Sequence, residues 1–94
     1  MYTQKERRLL SAPYFRLIRR TDTFYEIQSQ NTGHFWIIKK IQTTQQNPII
    51  IYHKHTQGTL YYHEHGKARN VQSALQQIKN HDVYQINGRQ AASQ

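Results

Sequence analysis

The stretch Pro48-Ile49-Ile50-Ile51-Tyr52-His53-Lys54-His55-Thr56-Gln57-Gly58-Thr59-Leu60-Tyr61-Tyr62-His63-Glu64-His65 decides how this chain is read. Two runs of β-branched and aromatic residues flank one glycine-bearing turn, the pattern of a β-hairpin. Each arm ends in His-x-His. Side chains alternate faces along a strand, so His53 and His55 share a face, as do His63 and His65. Loop length decides whether the two pairs meet. A two-residue loop, Gln57-Gly58, sets His53 opposite Tyr62 and puts the pairs on opposite faces. A three-residue loop, Thr56-Gln57-Gly58, sets His55 opposite Thr59 and Ile51 opposite His63, so that all four histidines share one face. Gln-Gly matches a two-residue type I′ turn poorly. The longer loop also pairs Tyr52 with Tyr62, between Ile50 and Leu60, and is preferred.

Downstream, Gly66-Lys67-Ala68-Arg69 leads to Asn70, a good helix N-cap. Val71, Ala74, Leu75 and Ile78 follow at i, i+3, i+4, i+7, the apolar stripe of a helix ending near Asn80 or His81. Val83, Tyr84 and Ile86 are expected to pack back onto the sheet. Upstream, Asn31-Thr32-Gly33 is a strong turn between strands at Phe24–Gln30 and His34–Gln42. Read as a three-residue loop, it pairs Ser29 with Phe35, Ile27 with Ile37 and Tyr25 with Lys39. That face is expected to be core, under the helix. Gln28 opposite Trp36, Glu26 opposite Ile38 and Phe24 opposite Lys40 form the other face. An edge strand over Tyr14–Arg20 follows Pro13, and Thr21-Asp22-Thr23 is its turn. Residues 43–47 form a polar connection closed by Pro48.

The expected fold is α+β: a mostly antiparallel, twisted sheet of four to five strands with one C-terminal helix packed on one face. A basic segment at residues 1–11 is expected to be mobile, residues 12–86 to form one compact domain, and residues 87–94 a flexible tail. With 94 residues, one modest core is the limit. Only 36% of residues are hydrophobic, but seven tyrosines, three phenylalanines and one tryptophan supply large apolar area.

Thirteen Lys and Arg against five Asp and Glu give a net charge of +8, which favours an anionic partner. With no cysteine, disulfides and thiolate metal sites are excluded. No apolar run approaches the ~20 residues of a membrane helix. The basic opening lacks the apolar stretch of a signal peptide. A cytoplasmic protein with no membrane association is expected.

Three chemistries are weighed. Catalysis needs a nucleophile with its base, or paired carboxylates. The acids Glu6, Asp22, Glu26, Glu64 and Asp82 are scattered, and no serine lies in a nucleophile motif, so the chain is read as non-enzymatic. Nucleic-acid binding, DNA in particular, is the leading expectation. Arg16, Arg19 and Arg20 would contact phosphates, and a sheet face bearing Gln28, His34, Trp36 and Lys40 would meet bases. A protein-interaction or homodimerisation module is the alternative. The third reading is a metal module on His53, His55, His63 and His65, since imidazoles on neighbouring strands can converge on zinc, copper or nickel. Alternating histidines are equally ordinary surface residues of a hairpin, so no cofactor is expected.

Overall fold

A computed structural model describes residues 2–11, 13–41 and 47–92, the last five of these as backbone only. The elements are α1 (Gln4–Leu10), β1 (Phe15–Arg20), β2 (Phe24–Ser29), β3 (Phe35–Lys40), β4 (Ile49–Lys54), β5 (His63–Ala68) and α2 (Val71–Ala92). The strands form one antiparallel sheet in the order β1-β2-β3-β4-β5. This is the expected α+β architecture, with α2 on one face of the sheet. Most of the polar connection before Pro48, residues 43–46, lies outside the described residues.

Within the basic N-terminal segment, residues 4–10 form a helix. Thr3 and Glu6 make a capping box. The Glu6 amide donates to Thr3 Oγ1 (3.1 Å), and the Thr3 amide donates to Glu6 Oε1 (2.8 Å). Arg7 and Arg8 in the last turn face the negative end of the helix dipole. So short a helix needs tertiary anchors. Leu10 is fully buried, worth about 1.5–3 kcal/mol. Tyr2 meets Tyr25 edge-on at 4.8 Å, and its hydroxyl donates to the Ile38 carbonyl at 2.9 Å. Glu6 pairs with Lys40 at 2.9 Å.

The β2–β3 hairpin differs from expectation by one residue. Gly33 takes φ 76°, its amide donates to the Ser29 carbonyl (2.8 Å), and the Ser29 amide donates to the His34 carbonyl (3.0 Å). The loop is therefore residues 30–33, one longer than the glycine pattern suggested. Ile27 pairs with Trp36, Tyr25 with Ile38 and Gln28 with Phe35. A slip of one residue turns every side chain over. The core face accordingly carries Tyr25, Ile27, Trp36 and Ile38, extended by Ile49 and Ile51 of β4. The stripe Val71, Ala74, Leu75, Ile78 is buried as expected, but it packs on the Trp36 face, not on Phe35 and Ile37. Phe24, Ile37 and Tyr52 line a depression of about 470 Å³ on the opposite face.

The β4–β5 hairpin matches neither expected register. His53 pairs with His63, Tyr52 with Glu64 and Ile51 with Gly66, and the register shifts at His65. Residues 55–62 make a longer connection than either reading allowed. The bulge spends one extra residue on β5 and re-aims its histidines.

Asn70 caps α2 as expected, accepting from the Ser73 amide at 2.8 Å. The helix continues past Asn80 to Ala92. Val83, Tyr84 and Ile86 are therefore helical and exposed, and do not pack back on the sheet.

Candidate metal centre

The topology gathers all six histidines of the chain at one end of the sheet. β3 and β4 pair Trp36 with His53 and Phe35 with Lys54. One step further along this ladder sets His34 opposite His55. Alternation keeps His34 and Trp36 on one face, and His53 and His55 on the same face. β5 brings His63 opposite His53 and, through the bulge, His65 beside Trp36 at 5.2 Å.

His81 arrives from α2. The buried stripe on this helix repeats at three and four residues, and the positions after Ile78 are His81 and Asp82. Asp82 is fully buried and fixes the helix over the sheet. Its carboxylate accepts from the Tyr14 hydroxyl (2.6 Å) and the Thr32 hydroxyl (3.0 Å). Burial, and then the bond to Asp82, pushes the Tyr14 phenol up to about 12, so it stays a donor. His81 thereby sits 4.8 Å from His53 and 5.8 Å from His34, ring centre to ring centre.

One ring nitrogen from each of His34, His53 and His81 lies within 4.8 Å of the others. His34 and His53 are buried, and His81 is half-buried. His53 Nε2 and His34 Nδ1 are 3.1 Å apart and share a hydrogen bond. Trp36 backs the group. Its indole stacks on the His53 ring at 4.1 Å and 24°, while its N–H donates to Ser29 Oγ at 3.1 Å. His81 Nδ1 is buried and has no hydrogen-bond partner among the described residues. A buried polar atom left unpaired is costly, and its lone pair suits a ligand.

Electrostatics favour neutral imidazoles here. Burial, reinforced by the neighbouring His81, His34, His55 and His63, pushes His53 down to about 3. Burial and His65 lower His81, and burial and His63 lower His65. Neutral imidazole is the form that binds a metal ion.

The residues expected from sequence are dispersed differently. Of His53, His55, His63 and His65, only His53 belongs to the buried trio, and the other three are exposed around it. Glu64 pairs with Tyr52 on the far face. The nucleic-acid set does not form one surface. Trp36 and His34 are buried under the helix side, and Lys40 is paired with Glu6. Gln28 lies on the opposite face, its amide donating to the Gly33 carbonyl at 3.2 Å. Arg16, Arg19 and Arg20 are exposed on the edge strand β1, with Arg19 3.5 Å from Glu26. The stacking role expected of Trp36 is closed by its burial.

Sequence reasoning missed His34 as a member of the cluster, because the one-residue slip put it, with Trp36, on the face away from the helix. It missed His81 because the apolar stripe turns polar there, which reads as a helix end. Continued spacing from Ile78 to His81 and Asp82 was the available signal. Among the described residues, no helix is long and apolar enough to cross a membrane. No family model, curated protein or solved structure matches this chain.

Proposed function

We propose that this protein is a small metal-binding module that holds one divalent ion of the nickel–copper–zinc group on His34, His53 and His81. The observation that carries the reading is the convergence of one ring nitrogen from each of three histidines within 4.8 Å; one of these rings, His81, has its Nδ1 buried with no hydrogen-bond partner among the described residues. The donor set decides the class of metal. Imidazole suits zinc, copper and nickel, whereas magnesium and calcium require oxygen ligands. A bound ion would be held by one nitrogen from each of His34, His53 and His81, whose neutral rings would supply the lone pairs. Nucleic-acid binding has less support, because Trp36 and His34 are buried and Lys40 is paired with Glu6, which leaves only the β1 arginines exposed among the basic residues proposed for contact.

Isothermal titration of metal-free protein with zinc, and separately with copper(II), tests the reading. One ion per chain is expected at pH 7.5. Trp36 is the only tryptophan, so bound copper(II) should quench the protein's indole fluorescence, whereas zinc, with its filled d shell, should not. His81→Ala should lose the stoichiometric site. Binding that is weak and survives His81→Ala would assign the metal to the exposed histidines and refute the proposal.

A further inference from the structure

Zinc, copper and nickel take four or more donors in protein sites, so three imidazoles leave at least one position to fill. The nearest carboxylate in sequence, Asp82, is occupied by Tyr14 and Thr32. The three exposed histidines are the remaining candidates, and they are not equivalent. His63 is 5.2 Å from His53, ring centre to ring centre. His65 is 5.2 Å from His81 and 5.7 Å from His53. His55 is closer, 4.5 Å from His34 and 4.7 Å from His53. It is exposed and lies beside two members of the trio.

Local structure separates them too. His63 and His65 lie within β5. His55 is the first residue after β4, at the start of the unpaired 55–62 connection. Its backbone is free of the β4–β5 ladder, so a small change there carries the ring to an ion without breaking sheet hydrogen bonds.

We propose that His55 is the fourth ligand, which makes the centre a four-imidazole site closed from the solvent side by a loop-borne histidine. This inference rests on the three-histidine reading above. Four neutral nitrogen donors leave the ion's double charge uncompensated, so the loaded centre should favour an additional anion or remain cationic. His55 is the ligand that exchanges with water or with such an anion.

Cobalt(II) titration reads the coordination directly, because four-coordinate cobalt(II) absorbs visible light far more strongly than cobalt(II) with added water ligands. Wild-type protein should bind one cobalt ion with an intense visible band. His55→Ala should keep the 1:1 stoichiometry, lose band intensity, and bind at least the roughly 10–100-fold more weakly that disturbing even an outer partner of a ligand costs. Free imidazole should restore the band. His63→Ala and His65→Ala should leave both readouts unchanged. His55→Gln serves as a second variant if alanine disturbs the loop, with circular dichroism as the check. An unchanged band and affinity in both His55 variants, or the same loss in His65→Ala, would overturn the fourth-ligand assignment while the trio stands. A wild-type protein that takes up no cobalt would remove the trio reading as well, before any variant is needed.

Discussion

At the scale of single residues, the molecule depends on a few polar groups buried beside the apolar core. Asp82 is the clearest case, since one carboxylate ties α2 to Tyr14 and to the Thr32 loop and so sets where His81 stands. Glu6 does the same for α1. Burial alone would raise its carboxyl. The Thr3 amide and Lys40 more than offset that and hold it below the ordinary 4.5. A carboxyl depressed on folding contributes stability above the unfolded value, and that contribution is lost as pH falls through the folded one. Glu6→Gln keeps the back-bond to the Thr3 amide and removes the charge. The variant should melt below wild type at pH 7, and the gap should close as pH falls through the ordinary carboxylate range and below it. Thermal melts across that range check this, and a gap that stays constant would contradict it.

At the scale of elements, loop length governs which face each strand shows. Gly33 holds the 30–33 loop with φ 76°. A Cβ there would meet only Gln28 Nε2 at 4.0 Å, so space is not limiting. Gly33→Ala should therefore cost about 1–2 kcal/mol through backbone conformation alone, read as a lower denaturation midpoint with an unchanged slope. A neutral outcome would contradict the argument. The same hairpin shows what could be read in the sequence. Alternation located the strands, and helical spacing located Val71, Ala74, Leu75 and Ile78 as the buried stripe. Neither pattern counts loop residues, and a glycine ending a turn fits a loop of three or of four. That one ambiguity sent Trp36 and His34 to the face away from the helix, and so away from His81. α1 was legible in Thr3 and Glu6 as a capping box, but Arg7 and Arg8 gave the segment the look of a basic tail.

At the scale of the whole molecule, six histidines spread between positions 34 and 81 become neighbours only because β3, β4, β5 and α2 converge at one end of the sheet. No sequence window contains the trio, so tertiary geometry creates it. The pairs His53/His55 and His63/His65 were visible in the chain, while His34 and His81 needed the β3–β4 register and the full length of α2. A ligand that binds only the folded chain stabilises it in proportion to its free concentration. The converging elements should therefore be locked together by the ion, at the cluster and not across the open face around Ile37 and Tyr52. Nitrogen-detected NMR of the histidine rings tests this most directly, by following assigned imidazoles while one equivalent of zinc is added. The account predicts that the ring nitrogens of His34, His53 and His81 shift together and stop moving at one equivalent. Shifts confined to exposed His63 and His65, with the buried rings unmoved, would contradict it.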